Sequence, residues 1–326
     1  MYILYILNIF TEKFKCKIYL KNHMNRKLIK QGTGVLTITI PKKWVTKHQL
    51  TAGDELDVLE KENTLIFSTS KIATLPEAYV NVENFNERTI RNVLNQTYRK
   101  GFDKIILTYN SPDQVEIVEE ITRQTLIGFE VVEKDKTQII IENIAEPTAD
   151  KYAVILRKLF LMIQLEIEEI AKAITINSYD PKKRKSAKEM IDSYTNLTRR
   201  LIIKYELDGK NSYLLYYAVS LLSLIHHAYF YLHSFQSKHR KKLKPQTVQL
   251  LMSSKDLFSM YYHGFYKLDL RIANDIALKK QQLLVSVEEQ LQLHKCIDNV
   301  ALYYLGEAVR LIQMSSTVLF GLATTV

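Results

Sequence analysis

Apolar and polar residues alternate along Val35-Leu36-Thr37-Ile38-Thr39-Ile40, the period of a strand with one covered face. Pro41 follows and has no N–H to give a ladder, so the strand is predicted to stop there. The period then changes: Trp44, Val45 and Leu50 fall on one face of a short amphipathic helix. Thr51-Ala52-Gly53-Asp54 reads as a turn, and residues 55–60 and 64–69 alternate again as two strands joined at Glu62-Asn63. A module of about forty residues cannot bury enough surface to be stable alone, so it is expected to pair with a second copy of itself.

Residues 79–82 form a short strand candidate. In residues 86–100, Ile90, Val93, Leu94 and Thr97 make one helical stripe, with Gly101 as the stop. A strand over 104–109, a helix over 113–126 ending at Gly128, and a hairpin of 129–133 with 137–142 across Lys134-Asp135-Lys136 complete a β-α-β-α-β-β order, a small α+β unit. From Thr148 onward the period is almost entirely helical. Helices are predicted over 149–176, 181–205 and 212–236, then over 245–267, 269–293 and 295–322. The two sets of three have similar lengths, and each middle helix opens on an aspartate, Asp180 and Asp269, which suggests duplication.

The fold class expected is therefore a multidomain α+β chain, divided into five parts. Residues 1–23 are a disordered extension; 24–70 are a small dimeric β-barrel module; 71–147 are an α+β middle domain. Residues 148–240 and 241–326 form an all-α C-terminal pair of three-helix bundles. Met24 stands immediately before the ordered module and is a candidate working start. The opening MYILYILNIF is shorter than the roughly 20 apolar residues of a membrane span, and no stable membrane insertion is expected.

A net charge of +10 suits an anionic partner. It is unevenly placed: residues 71–147 carry −4, residues 148–326 carry +9, and the front two segments +3 and +2. The two cysteines, Cys16 and Cys296, stand far apart, which argues against a disulfide framework and fits a reducing, cytoplasmic setting. No nucleophile, base and orienter recur at usable spacing, and no phosphate-cradling glycine loop appears, so neither an enzyme nor a bound cofactor is expected.

In the front module, Thr39-Ile40-Pro41-Lys42, the helix with Trp44 and Leu50, and Gly53-Asp54-Glu55-Leu56 resemble the AbrB/SpoVT swapped-hairpin DNA-binding domain. That resemblance implies two chains interleaving hairpins into one barrel, with a basic face against double-stranded DNA. The residues expected to make that contact are Arg26, Lys27 and Lys30 beside the first strand and Lys42, Lys43 and Lys47 on the helix. Gly32-Thr33-Gly34 supplies a loop that could follow a backbone.

Two three-helix units behind such a module resemble the archaeal PhoU-type phosphate uptake regulators, in layout more than in sequence. That resemblance implies regulation of phosphate uptake and contact with a phosphate-transporter or signalling protein. An adaptor that dimerises without touching DNA is the alternative. The acidic clusters by which PhoU helices hold metal are absent at the matching stretches, Asp192-Ser193-Tyr194-Thr195-Asn196, Leu222-Ser223-Leu224-Ile225-His226-His227 and Ala277-Leu278-Lys279-Lys280-Gln281, so no metal site is expected. His226, His227 and His233 are read as buried or interfacial rather than as ligands. Lys182-Lys183-Arg184-Lys185 and Lys238-His239-Arg240-Lys241-Lys242 are read as solvated runs between helices, open to a second anionic contact.

Overall fold

The structure is a computed structural model that describes residues 25–32, 34–61, 64–69, 76–292 and 298–324. The 1–23 extension, the Glu62-Asn63 turn and Thr33 lie outside the described residues. The chain divides into two compact units, Met1–Thr74 and Leu75–Val326.

The first unit is thin. Strands β1 (Ile29–Lys30) and β2 (Leu36–Thr37) pair antiparallel, with Ile29 opposite Thr37. Helix α1 (Lys42–Lys47) follows, then the hairpin of β3 (Asp57–Lys61) and β4 (Thr64–Ser68), in which Val58 faces Phe67 and Glu60 faces Leu65. The strand expected over 35–40 keeps ladder bonds only at Leu36 and Thr37. Leu28, Ile29, Val35, Leu36, Ile38, Val58, Leu65 and Phe67 all stay exposed, six of them by more than half. One copy of the module thus has alternating strands but no core to alternate against.

The second unit is the reverse. Its sheet has the order β5-β6-β8-β7, built from β5 (Glu77–Asn81), β6 (Lys104–Thr108), β7 (Phe129–Lys134) and β8 (Gln138–Asn143). β5 and β6 are parallel, as a helical crossover requires, and the other pairings are antiparallel. Helices α2 (Glu87–Arg99) and α3 (Pro112–Thr125) are the connections. Asn86 caps α2 by accepting from the Thr89 N–H at 3.0 Å. Ile90, Leu94 and Tyr98 of α2 meet Val118 and Ile121 of α3 and the alternate strand residues Ile105, Leu107, Ile139 and Ile141 in one core. The β7–β8 turn closes because the Asp135 Oδ1 accepts from the Thr137 and Gln138 N–H groups, each at 2.8 Å.

Six helices complete the described residues: α4 (Tyr152–Thr175), α5 (Pro181–Lys204), α6 (Ser212–His239), α7 (Pro245–Lys267), α8 (Leu270–Gln292) and α9 (Asn299–Ala323). Prolines at the first position of α5 and α7 start those helices where their missing N–H costs nothing. A continuous apolar core runs through both sets of three, from Phe160 and Ile163 through Leu222 and Tyr229 to Phe258, Tyr261, Leu305 and Ile312. The Lys182–Lys185 run is not a loop but the first turns of α5, and it is not wholly solvated. Arg184 is buried and its Nη1 donates to both Glu166 carboxylate oxygens at 2.9 Å.

The α+β part and the helices are joined by a buried ionic cluster. Arg200 of α5 is fully buried. Its Nη1 donates to the carbonyls of Tyr98 (2.8 Å) and Phe102 (2.7 Å), its Nε to Glu146 at 3.0 Å, and its Nη2 to Glu146 and Asp103. The guanidinium lies 4.9 Å from the Tyr98 ring centre and 4.8 Å from that of Phe129. Lys204, one turn on, donates to Asp103 at 2.6 Å and to Glu146 at 2.8 Å. Two cations thus meet two carboxylates, the arrangement a buried charge needs. Burial would raise the Asp103 carboxyl, but hydrogen bonds from Lys204 and Asn143 and the charge of Arg200 hold it below its ordinary value. Gly101, with φ +89°, ends α2 in the left-handed region; a Cβ there would stand 3.3 Å from the Lys204 Cβ. None of the described helices is long and apolar enough to cross a membrane.

Candidate nucleic-acid interface

The exposed cations of the front module are carried by two short elements. Pro41 fixes the entry to α1 without a side-chain cap, and its carbonyl accepts from the Trp44 N–H at 2.9 Å and the Val45 N–H at 3.1 Å. Trp44 and Val45 turn partly inward, and the Trp44 ring lies 4.8 Å from that of His48. That rotation leaves Lys42, Lys43 and Lys47 outward, and all three are exposed. Arg26, Lys27 and Lys30 are also exposed, on and just before β1.

The turn after α1 has a physical reason for its sequence. The Asp54 Oδ2 accepts from the Thr51 N–H at 2.6 Å and from the Thr51 hydroxyl at 3.2 Å, and the Asp54 N–H donates to the Thr51 carbonyl at 3.1 Å. Gly53 between them sits at φ +98°, where an L side chain is strained. The Gly-Asp pair is therefore the hinge that brings the chain from α1 into the β3–β4 hairpin. Gly32 and Gly34, flanking Thr33, are at φ +72° and +84°, the left-handed region expected of a loop turning between β1 and β2.

Six exposed cations on one module of net charge +2 can attract a polyanion. Each Lys or Arg that reaches a phosphate releases a counterion, so such binding falls steeply with salt. A family model described as antidote-toxin recognition MazE, a bacterial antitoxin, matches residues 29–66. The match runs from β1 into β4 and supports the swapped-hairpin, DNA-binding type of module expected for this stretch. No curated protein and no solved structure matches the chain. Nothing in the comparisons supports the PhoU-type reading of the helices.

The histidines of α6 separate by environment. His226 is fully buried with neither ring nitrogen hydrogen-bonded, and burial pushes its pKa down to about 3. His233 is buried with its ring edge-on to Tyr179 at 5.4 Å, and burial lowers its pKa to about 4. His227 instead meets the Asp192 carboxylate at 2.8 Å through its Nε2. The three do not converge, and no group of three or more His, Cys, Asp or Glu poised for a metal occurs among the described residues. The Arg200–Lys204 cluster was not anticipated by pattern reasoning. Its only signal was Arg199-Arg200 and Lys204 interrupting the apolar period of α5.

Proposed function

We propose that the chain is a DNA-binding regulator that works as a homodimer through residues 24–70. Support comes from a single juxtaposition: a MazE-type match on a module whose apolar strand faces are uncovered and whose Arg26, Lys27, Lys30, Lys42, Lys43 and Lys47 are all exposed. A second copy would cover Val58, Leu65 and Phe67 and double the basic set on one surface. DNA enters through phosphate contacts from these side chains, with β1–β2 and the start of α1 against the backbone. The chain acts without catalysis or cofactor. Its helical half serves as the input end, and phosphate uptake is the process regulated, a reading that rests only on the resemblance of the two three-helix sets to the PhoU layout. The site of action is the cytoplasm, where the DNA is.

The test is a salt-titrated gel shift with the full chain on random genomic fragments. Wild type should be retained at low salt and released steeply as salt rises. The triple change Arg26→Ala, Lys42→Ala, Lys43→Ala should weaken retention on every fragment and flatten the salt dependence. Unchanged binding by the triple variant would show that this surface is not the contact. A second reading is favoured by the matched family's description, which names toxin recognition: the module dimerises and the helices hold a protein partner without DNA. Failure to retain any fragment, together with co-purification of a transporter subunit or other defined partner, would select it.

A further inference from the structure

We propose that the end of the helical unit where residues 182–185 and 238–244 meet is a second contact for the phosphate backbone of DNA. The two runs are far apart in sequence, and the antiparallel register of α5 and α6 brings them together. Asp192 meets His227 at 2.8 Å, the Lys188 Nζ stands 5.7 Å from the Phe230 ring centre, and the Tyr179 ring lies 5.4 Å from that of His233. The first turn of α5 is therefore level with the last turn of α6. Burial raises the Tyr179 hydroxyl pKa and the charge of Arg240 opposes that rise, which sets Arg240 at the same end.

The second run is anchored at both sides. Arg240 closes α6 at φ +48°, in the left-handed region, with its N–H on the Gln236 carbonyl at 2.7 Å. Leu243 is buried in the helical core, and the Lys244 N–H donates to the Asp298 carboxylate at 2.8 Å. Between these anchors Lys241 and Lys242 are exposed, as are Lys238 and Arg240 before them and Lys244 after. Lys182 and Lys183 are exposed on the first turn of α5. Lys183 and Lys185 have carboxylate neighbours, Glu169 at 3.7 Å and Glu189 at 3.8 Å. Among the described residues, Lys182, Lys238, Arg240, Lys241, Lys242 and Lys244 have none within ion-pair distance. The sequence explains the surplus: no acidic residue occurs between Asp208 and Asp256.

Cations held at one end repel each other, and a polyanion relieves that repulsion. The side chains present suit a phosphate backbone rather than stacked bases or lipid tails. Gripping a single strand uses exposed aromatic faces, and stable lipid anchoring adds an apolar element to a basic patch. Neither run offers these: residues 182–185 are all cationic, and Leu243, the apolar residue of 238–244, is buried. The choice of DNA among polyanions rests on the proposed DNA contact of the front module. Pairing through that module doubles this end as well, and a single end by itself is a weak hold that modest salt releases.

The test is fluorescence anisotropy of a random-sequence DNA duplex with the full chain across a salt titration. The variant Lys182→Gln, Lys238→Gln, Lys241→Gln, Lys242→Gln should bind about tenfold more weakly at low salt, with a salt slope shallower by about 2–4. It should melt like wild type, and the same four lysines changed to arginine should keep wild-type binding. The triple change Arg26→Ala, Lys42→Ala, Lys43→Ala, run in parallel, separates the two contacts. Weakening by the four-glutamine variant alone supports this end and counts against the front surface; weakening by the triple variant alone overturns this end and leaves the front surface standing. A wild-type chain that binds no duplex overturns both. Loss of binding in the arginine set would show that charge is not the cause and would also overturn the proposal. So would a four-glutamine variant that keeps its duplex binding but no longer binds mixed phosphatidylserine–phosphatidylcholine vesicles, which would assign the end to a lipid surface.

Discussion

The front module and the helical unit behind it contain similar apolar residues and use them in opposite ways. In α4 to α9, Phe160, Leu222, Tyr229, Tyr261 and Ile312 are buried, and even the charged Arg184 and Arg200 are enclosed with carboxylate partners. In β1 to β4, Leu36, Val58 and Leu65 remain more than half exposed. The difference shows where each region's stability comes from. The helical unit supplies its own covering, so its stability belongs to one chain. On the proposed function the module borrows covering from a second copy, so its stability is expected to depend on concentration and its basic set to double on pairing.

The sharpest way to break the comparison is at the ionic join. Arg200→Ala leaves Asp103 and Glu146 buried with only Lys204 between them, which should cost about 3–5 kcal/mol. Thermal unfolding of the full chain should show a large loss for the Leu75–Val326 unit. Arg200→Ala that melts like wild type would mean the α+β part and the helices are not held together there.

Acid tests the helical core more gradually. His226 and His233 have folded pKa values depressed to about 3 and about 4, below the ordinary value near 6.5. The unfolded chain therefore binds protons that the folded chain does not. Their stabilising contribution is intact above about pH 6.5 and is lost as pH falls toward 4. The slope should be up to about 1.4 kcal/mol per pH unit for each histidine. Denaturant unfolding between pH 7 and 4.5 should show it, and His226→Leu should flatten it. A flat profile in wild type would mean that these rings are not buried neutral.

A smaller, local effect is expected at the α2 cap. Asn86→Ala removes the acceptor for the Thr89 N–H and should cost about 1 kcal/mol. The loss should appear in the α+β part without altering the oligomeric state. A change in oligomeric state would tie that part to self-association, whereas pairing is expected through residues 24–70.

How legible all this was varies with the kind of interaction. The helices and the middle sheet were readable because period, caps and stops coincide: Asn86 and Gly101 bracket α2, and Asp180-Pro181 starts α5. The residues that turn outward on α1 were readable from Trp44 and Val45. Three things were not. The Arg200–Asp103–Glu146 cluster joins residues about a hundred and about fifty positions apart, which no local pattern records. The inward turn of Arg184 was hidden in a run of lysines that looks solvated. The β1–β2 ladder is shorter than its alternation implies, because one copy gives those strands nothing to pack on.

The most direct measurement joins self-association to DNA binding. Val58→Ser with Phe67→Ser changes no charge and removes only the apolar pair across β3 and β4. Sedimentation of the full chain should show a dimer for wild type and a monomer for this variant. At the same protein concentration, wild type should bind DNA with a steep salt dependence and the variant should lose that binding. A variant that is monomeric yet binds DNA with the wild-type affinity and salt slope would contradict the claim that the DNA-contacting surface is made by pairing.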